Sequence, residues 1–269
     1  MFSHFLITRF NVGYIEQIKY DDPNEWLKQR IKFFEKYCYP SVFNQSDKDF
    51  IWLIFFDNRT PIEYLNLIRN VDTGNLISIC FANNWTRAKE IVKKEIITFF
   101  NENSDSNRVL ITTRLDNDDM ISKNYIKIVK TYAESNLNES DCFALNFPDG
   151  YVYDLINHMI LRKRQFSNPF ISLVERNNSF ETILFDYHEN ISEKVKTYNI
   201  YGLEFFFQIV HGKNLMNKSI GIPKILFDGQ LINFLDDYEI QVSTIFMRLN
   251  WKLRWVVNRG VSKIRRWIY

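Results

Sequence analysis

The sequence predicts a doubly wound α/β fold, with a mostly parallel sheet and helices on both faces. Three observations lead there. Short apolar runs alternate with longer stretches of helical period, the runs are separated by cap and breaker residues, and two of them end on aspartate. A chain of 269 residues is long enough for one such domain with an appendage. Its 46% hydrophobic and 25% charged residues exclude a disordered or fibrous class.

The elements follow in order. Residues 5–10 form a first apolar run. Asp22-Pro23 opens a helix, with Asp22 as N-cap and Pro23 at the first helical position. Leu27, Ile31, Phe34 and Cys38 recur at helical spacing and make its buried stripe. Residues 50–56 are apolar on both faces, as a central parallel strand requires, and end at Asp57. Thr60-Pro61-Ile62-Glu63 reads as a capping box for the next helix. Residues 76–81 are a third strand, and Ala88, Ile91, Val92, Ile96 and Phe99 stripe the helix after it. Residues 109–115 are a fourth strand and 142–147 a fifth. Between them lies a helix with Ser122 at its start and Tyr125, Ile126 and Val129 on its buried face. Gly150, Pro169, Gly202, Gly212, Gly221 and Pro223 break up the second half, and its segment 149–190 reads as an extension of the same domain. The expected organisation is a domain over 1–235 and a basic, aromatic helical tail over 236–269.

Cys38, Cys80 and Cys142 are widely spaced and form no CxxC or Cys/His cluster, so neither a disulfide scaffold nor a zinc site is expected. The first residues lack the long apolar run of a signal peptide, and no uninterrupted apolar stretch is long enough for a transmembrane helix. A cytoplasmic location is expected.

In such sheets ligands bind beyond the carboxyl ends of the strands. There the sequence places Asp57 and the run Arg114-Leu115-Asp116-Asn117-Asp118-Asp119-Met120. Three carboxylates in four residues repel one another and need a compensating cation. Oxygen ligands suit a hard divalent ion, Mn2+ or Mg2+, with a nucleotide diphosphate completing its shell. An EF-hand loop needs Gly where Ile121 stands, and a phosphatase D-x-D-x-T needs Thr where Met120 stands. A solvated turn capping the next helix is the plain structural alternative.

The run Ile111-Thr112-Thr113-Arg114-Leu115-Asp116-Asn117-Asp118-Asp119 resembles the D-x-D region of GT-A-fold glycosyltransferases. More narrowly, it resembles a bacterial rhamnosyltransferase family. So do HFLITRFNV (4–12), FFEKYCYPSVFNQ (33–45), FIWLIFFDNRTP (50–61), SNPFISLVE (167–175) and QIVHGKN (208–214). The resemblance implies a GT-A-like sheet and transfer of a hexose or deoxyhexose, with rhamnose as the family label. The sugar would pass from a nucleotide-sugar donor to a glycan or lipid-linked glycan acceptor, in cell-surface polysaccharide synthesis. It implies that Asp116 and Asp118 flank the ribose and the metal-bound diphosphate, and that Asp119 orients the sugar or holds the metal. Asp57 would hold the base or ribose.

His211 is a late residue of the kind GT-A enzymes return to the metal, and Lys213 could neutralise phosphate; read structurally, His211 instead ends a helix running from Gly202. His188 is a weaker candidate for the same neighbourhood. An inverting transfer needs a carboxylate base. Glu175 ends SNPFISLVE, and Glu204 sits in Gly202-Leu203-Glu204-Phe205, which has Phe205 where the family motif carries a second acid. Arg9, Arg87 and Arg114 lie near strand ends as phosphate partners.

The net charge is +2, yet residues 250–269 carry six Lys or Arg and no acid. Interleaved with Trp251, Trp255 and Trp267, they suit an amphipathic element on an anionic membrane, at the inner face. The alternative is a Trp face packed on the domain. The rest of the chain is net acidic, so no nucleic acid is expected. Two rival readings follow from the same features: a nucleotidyltransferase on a related sheet, and a non-catalytic protein that binds membranes or carbohydrate.

Overall fold

The computed structural model describes residues 2–13, 22–102, 109–176, 180–211, 221–224, 227, 231–232, 235, 240, 242 and 244–268. By backbone contacts the chain forms two compact units, Met1–Pro148 with Gln165–Phe205, and Asp149–Arg164 with Phe206–Tyr269. Of the segment 149–190, residues 165–190 thus belong with the first unit and 149–164 with the second, and the expected boundary at 235/236 falls inside the second unit.

The first unit is built on a seven-stranded sheet. Its strands are β1 (Phe2–Arg9), β2 (Ile51–Phe56), β3 (Ile77–Phe81), β4 (Val109–Arg114), β6 (Cys142–Asn146), β9 (Ser172–Glu175) and β10 (Thr197–Asn199), in the order β10-β6-β9-β4-β1-β2-β3. β1 pairs in parallel with β2 and β4, β2 with β3, and β10 with β6. β9 alone runs antiparallel, between β4 and β6. The mixed α/β fold expected from the alternating pattern is therefore present, with one reversed strand that the pattern did not announce. The core strands read as continuous apolar runs because both faces are covered: Trp52, Leu53, Ile54, Phe55 and Phe56 of β2 are all buried.

The helices are α1 (Pro23–Phe33), α2 (Tyr39–Phe43), α3 (Ile62–Val71), α4 (Trp85–Glu102), α5 (Tyr125–Asn136) and α6 (Ile191–Lys194); the short strand β5 (Met120–Ile121) precedes α5. Asp22 caps α1 as expected, its Oδ1 accepting from the Asn24 and Glu25 amides at 2.9 and 3.3 Å. A π-helical turn, Phe34–Cys38, joins α1 to α2, with the Tyr39 amide donating to Phe34 O. Pro40 explains it: it has no N–H to continue an α ladder, and its ring would press on the carbonyl one turn back. Leu27, Ile31, Phe34 and Cys38 are buried as their spacing predicts. The capping box at Thr60 does not form. Pro61 occupies the N-cap of α3, and the Thr60 hydroxyl turns back to Asp57 O at 2.7 Å.

The second unit holds the hairpin β7 (Asp149–Asp154) and β8 (Met159–Arg164), then β11 (Phe206–Val210) parallel to β7 and β12 (Ile222–Pro223) antiparallel to β8. The helix expected to run from Gly202 to His211 is thus a strand. Alternating burial was not available as a signal, since every residue of β11 is buried. Gly150 is needed here: a Cβ at that position would stand 2.6 Å from the Phe206 ring. The last helix, α7 (Ile245–Ile268), packs Trp251 against Val152, Met159, Leu161 and Val210.

Candidate functional site

The chain runs β1, β2, β3 toward one edge and then returns to place β4 on the other side of β1. That reversal makes a crevice at the carboxyl ends of β1 and β4, where open α/β sheets take ligands. Arg9 ends β1, Asp57 follows β2 and Asp116 follows β4. Ile7 is level with Arg114, and the Leu115 amide donates to Ile7 O at 3.0 Å, so two further residues bring Asp116 level with Arg9.

The acidic segment is a turn. The Asp119 amide donates to Asp116 O at 3.3 Å, and Asn117 Nδ2 ties the turn to Phe10 O at 2.9 Å. Asp118 and Asp119 are buried, at 2% and 0% exposure, while Asp116 is half-buried. Burying carboxylates in this way is costly unless a cation is close. Arg30, one turn from the end of α1, is such a cation: its Nη1 pairs with Asp118 Oδ2. The pair is well covered, the two side chains being 12% and 4% exposed. Cys38 reports the local field. Its buried thiol is pushed well above the ordinary range, first by burial and then by the charges of Asp118, Asp119 and Asp116, with Arg30 opposing. Its Sγ lies 3.6 Å from Asp116 O.

Asp57 is fully buried and held by its neighbours. Arg59 donates from Nε to Oδ1 at 2.8 Å and from Nη2 to Oδ2 at 3.0 Å. Burial alone would raise this carboxyl, but the Arg59 hydrogen bonds and charge, with the Gly13 amide, outweigh it and hold the pKa below the usual value. Asn11 accepts from the Asp57 amide at 2.9 Å and donates to Thr60 at 2.9 Å, which fixes the end of β2 against the end of β1. A cavity of about 210 Å3 opens beside it, lined by Asn11, Pro23, Trp26, Leu27, Arg59 and Pro61. Trp26 also lies under the Arg30 guanidinium, at 5.4 Å. Trp26 and Arg30 therefore connect the cavity to the acidic turn. The sequence reading missed both; their i, i+4 spacing on α1 was the available signal.

Among the described residues no three His, Cys, Asp or Glu side chains converge as a metal cage. The donor set nonetheless fits a hard divalent ion. Mg2+ sites commonly use one or two carboxylates and leave the remaining positions to water and substrate phosphates. Asp116 and Asp118 are the carboxylates of the turn that would make such a pair, a carboxylate having acceptor capacity beyond one guanidinium contact.

The other expected site residues are dispersed. Arg114 ends β4, half-buried, directly before the turn. Arg9 stacks over Trp85 at 5.2 Å. Arg87 is exposed on α4 and pairs with Glu90, and His188 lies 3.2 Å from Glu189. Glu204 is half-buried, and the carbonyl of the next residue, Phe205, accepts from the Ser122 amide at 2.9 Å, just past the acidic turn. His211 belongs to the second unit, and Lys213 lies outside the described residues.

Glu175 is not placed to act as the base. It pairs with Leu110, so it stands at the amino end of β4 while Asp116 follows the carboxyl end, about 20 Å away at ~3.3 Å per residue. Its carboxylate instead accepts from the amides of Glu181 and Thr182, at 2.8 and 3.0 Å. Thr182 is β-branched and sits at φ 65°, a strained conformation that these bonds hold in place.

A family model described as "Putative rhamnosyl transferase" matches residues 11–222. The chain belongs to this rhamnosyl transferase family. Comparison with curated protein sequences finds no match. Among solved structures, S. aureus TarS 1–349 matches at 9% identity with TM-score 0.42, covering 77% of this chain and 60% of that one. HddC from Yersinia pseudotuberculosis matches at 10% identity and TM-score 0.41, covering 77% and 93%. Mouse xyloside xylosyltransferase 1 matches at 7% identity and TM-score 0.35, covering 74% and 85%. This member of the rhamnosyl transferase family thus spans less than two thirds of the TarS fragment.

Proposed function

We propose that this chain is a nucleotide-sugar glycosyltransferase of GT-A type, moving a hexose or deoxyhexose onto a glycan or lipid-linked glycan in surface polysaccharide synthesis. The observation that carries the reading is the buried acidic turn at the carboxyl end of β4, at the sheet's reversal point, in a chain whose family model spans 11–222.

The cavity beside Asp57 is the size of a nucleobase and is walled by Trp26 and the Arg59 guanidinium, which suit stacking and hydrogen bonding. From there Trp26 and Arg30 lead to Asp116 and Asp118, which would hold Mn2+ or Mg2+ against the diphosphate. That ion, when bound, offsets the negative charge of the departing diphosphate. Arg30 and Arg114 are the chain's own cations around the same phosphates. Asp119, fixed in the turn, orients the sugar. Glu204, on the segment tied to Ser122, is the candidate base that takes the proton of the attacking acceptor hydroxyl in an inverting transfer.

The test is a panel of nucleoside diphosphates and their sugars with Mn2+ or Mg2+, followed by thermal midpoint and donor hydrolysis. Asp116→Asn is the control, since its side chain is half-exposed and its loss leaves the Arg30–Asp118 pair intact. One nucleotide should raise the midpoint only with metal, and D116N should abolish the rise. Release of nucleoside diphosphate supports sugar transfer, and release of pyrophosphate would point to nucleotidyl transfer instead. A folded protein that responds to no nucleotide sinks the reading.

A further inference from the structure

The helix α7 has two apolar sides, and among the described residues one of them is packed on protein. Trp251 faces the second unit's sheet and packs on Val152, Met159, Leu161 and Val210. On a different side, Ile245, Leu249, Leu253, Val256 and Val257 recur at helical spacing and stand in solvent, Leu253 at 63% and Val257 at 61% exposure. Lys252 and Arg254 are exposed along the two borders of this stripe. The helix Ile245–Ile268 carries seven Lys or Arg and no acid in its sequence. The side chains of Arg259, Lys263, Arg265, Arg266 and Trp267 lie outside the described residues.

We propose that this stripe is a docking surface for an anionic lipid bilayer, with α7 lying in the plane of the interface. An aliphatic stripe bordered by cations is the arrangement that buries its apolar side among acyl chains while its charges meet anionic headgroups. A second copy of the chain would bring seven positive charges against seven, which disfavours self-association as the occupant. Crossing the bilayer is not the mode: among the described residues no helix is long and apolar enough to span it. Both faces of α7 are thereby accounted for, Trp251 on the protein and the aliphatic stripe on lipid. The inference is independent of the sugar-transfer reading.

The experiment is co-sedimentation of the full chain with phosphatidylcholine vesicles, with and without phosphatidylglycerol. Binding should require phosphatidylglycerol and fall with added salt. Leu253→Glu/Val256→Glu should weaken it by about tenfold or more, through loss of the inserted aliphatics. Lys252→Gln/Arg254→Gln should weaken it roughly 25-fold, about fivefold per charge. All four positions are exposed, so circular dichroism and the thermal midpoint should not change. Three results would each overturn the proposal: no binding to phosphatidylglycerol vesicles, wild-type binding by L253E/V256E, or a solution dimer that these substitutions dissociate.

Discussion

Arg30 offers the most direct test of how the acidic turn is held. Replacing it with Met keeps much of the stem and removes the guanidinium. Asp118 then loses this partner in a site where its side chain is 4% exposed. Breaking a buried pair from one side costs about 3–5 kcal/mol, and loss of the stacking on Trp26 adds roughly 0.5–1 kcal/mol. At about 2–4 °C per kcal/mol for a chain of this size, the thermal midpoint should drop by roughly 7–24 °C. Asp118→Asn in the same background removes the buried charge and should recover much of the loss. The assay is urea or thermal unfolding of wild type, R30M, D118N and the double variant, without divalent ions. On the proposed metal role, Mn2+ should then restore R30M more than wild type. A cost below about 1 kcal/mol for R30M, or no rescue by D118N, would show that the pair is not what neutralises the turn.

Three further expectations concern other parts of the chain. His4 is buried, and burial with the Lys130 charge, against Asp47, lowers its pKa from 6.5 to about 3. Below pH 6.5 the unfolded chain takes up a proton that the folded one refuses, so stability falls with pH by about 1.4 kcal/mol per unit, roughly 2 kcal/mol by pH 5. His4→Gln should flatten that slope in urea titrations, and an unchanged slope would assign it to other groups. Gly150→Ala drives a methyl into the Phe206 ring and should cost about 1–3 kcal/mol, recovered in part by Phe206→Leu; a neutral G150A would mean that the Phe206 ring can turn aside without loss. Glu175→Gln should lower stability by about 1–3 kcal/mol through the Glu181 and Thr182 amides and leave donor hydrolysis intact. Lost hydrolysis in folded E175Q would restore Glu175 to the chemistry.

Much of the first unit was legible because its signals are local. The stripe Leu27, Ile31, Phe34, Cys38 and the run 51–56 declare their periods within a few residues. Asp116, Asp118 and Asp119 were legible as a cluster because they adjoin in sequence. What stayed hidden depends on long-range pairing. Arg30 meets Asp118 across 88 residues, so the need for a cation was readable but its protein source was not. Glu175 looked like a strand-end acid, and only the antiparallel register of β9 shows that it faces the wrong end of β4. The strand β11 is buried throughout, Gln208 included, so its side chains show no alternation to tell it from a short buried helix.

The chain order of the second unit has a consequence during synthesis. The hairpin β7–β8 is made early, but β11, its parallel partner, begins at Phe206, 52 residues after Asp154. At about 5–20 residues per second, a ribosome leaves β7 without that partner for roughly 3–10 s. Over the same interval Gln165–Phe205 emerges and completes the first unit. The nascent protein therefore carries an open strand edge while its other half is closing. That window is when a chaperone holding β7 would do most to protect the yield.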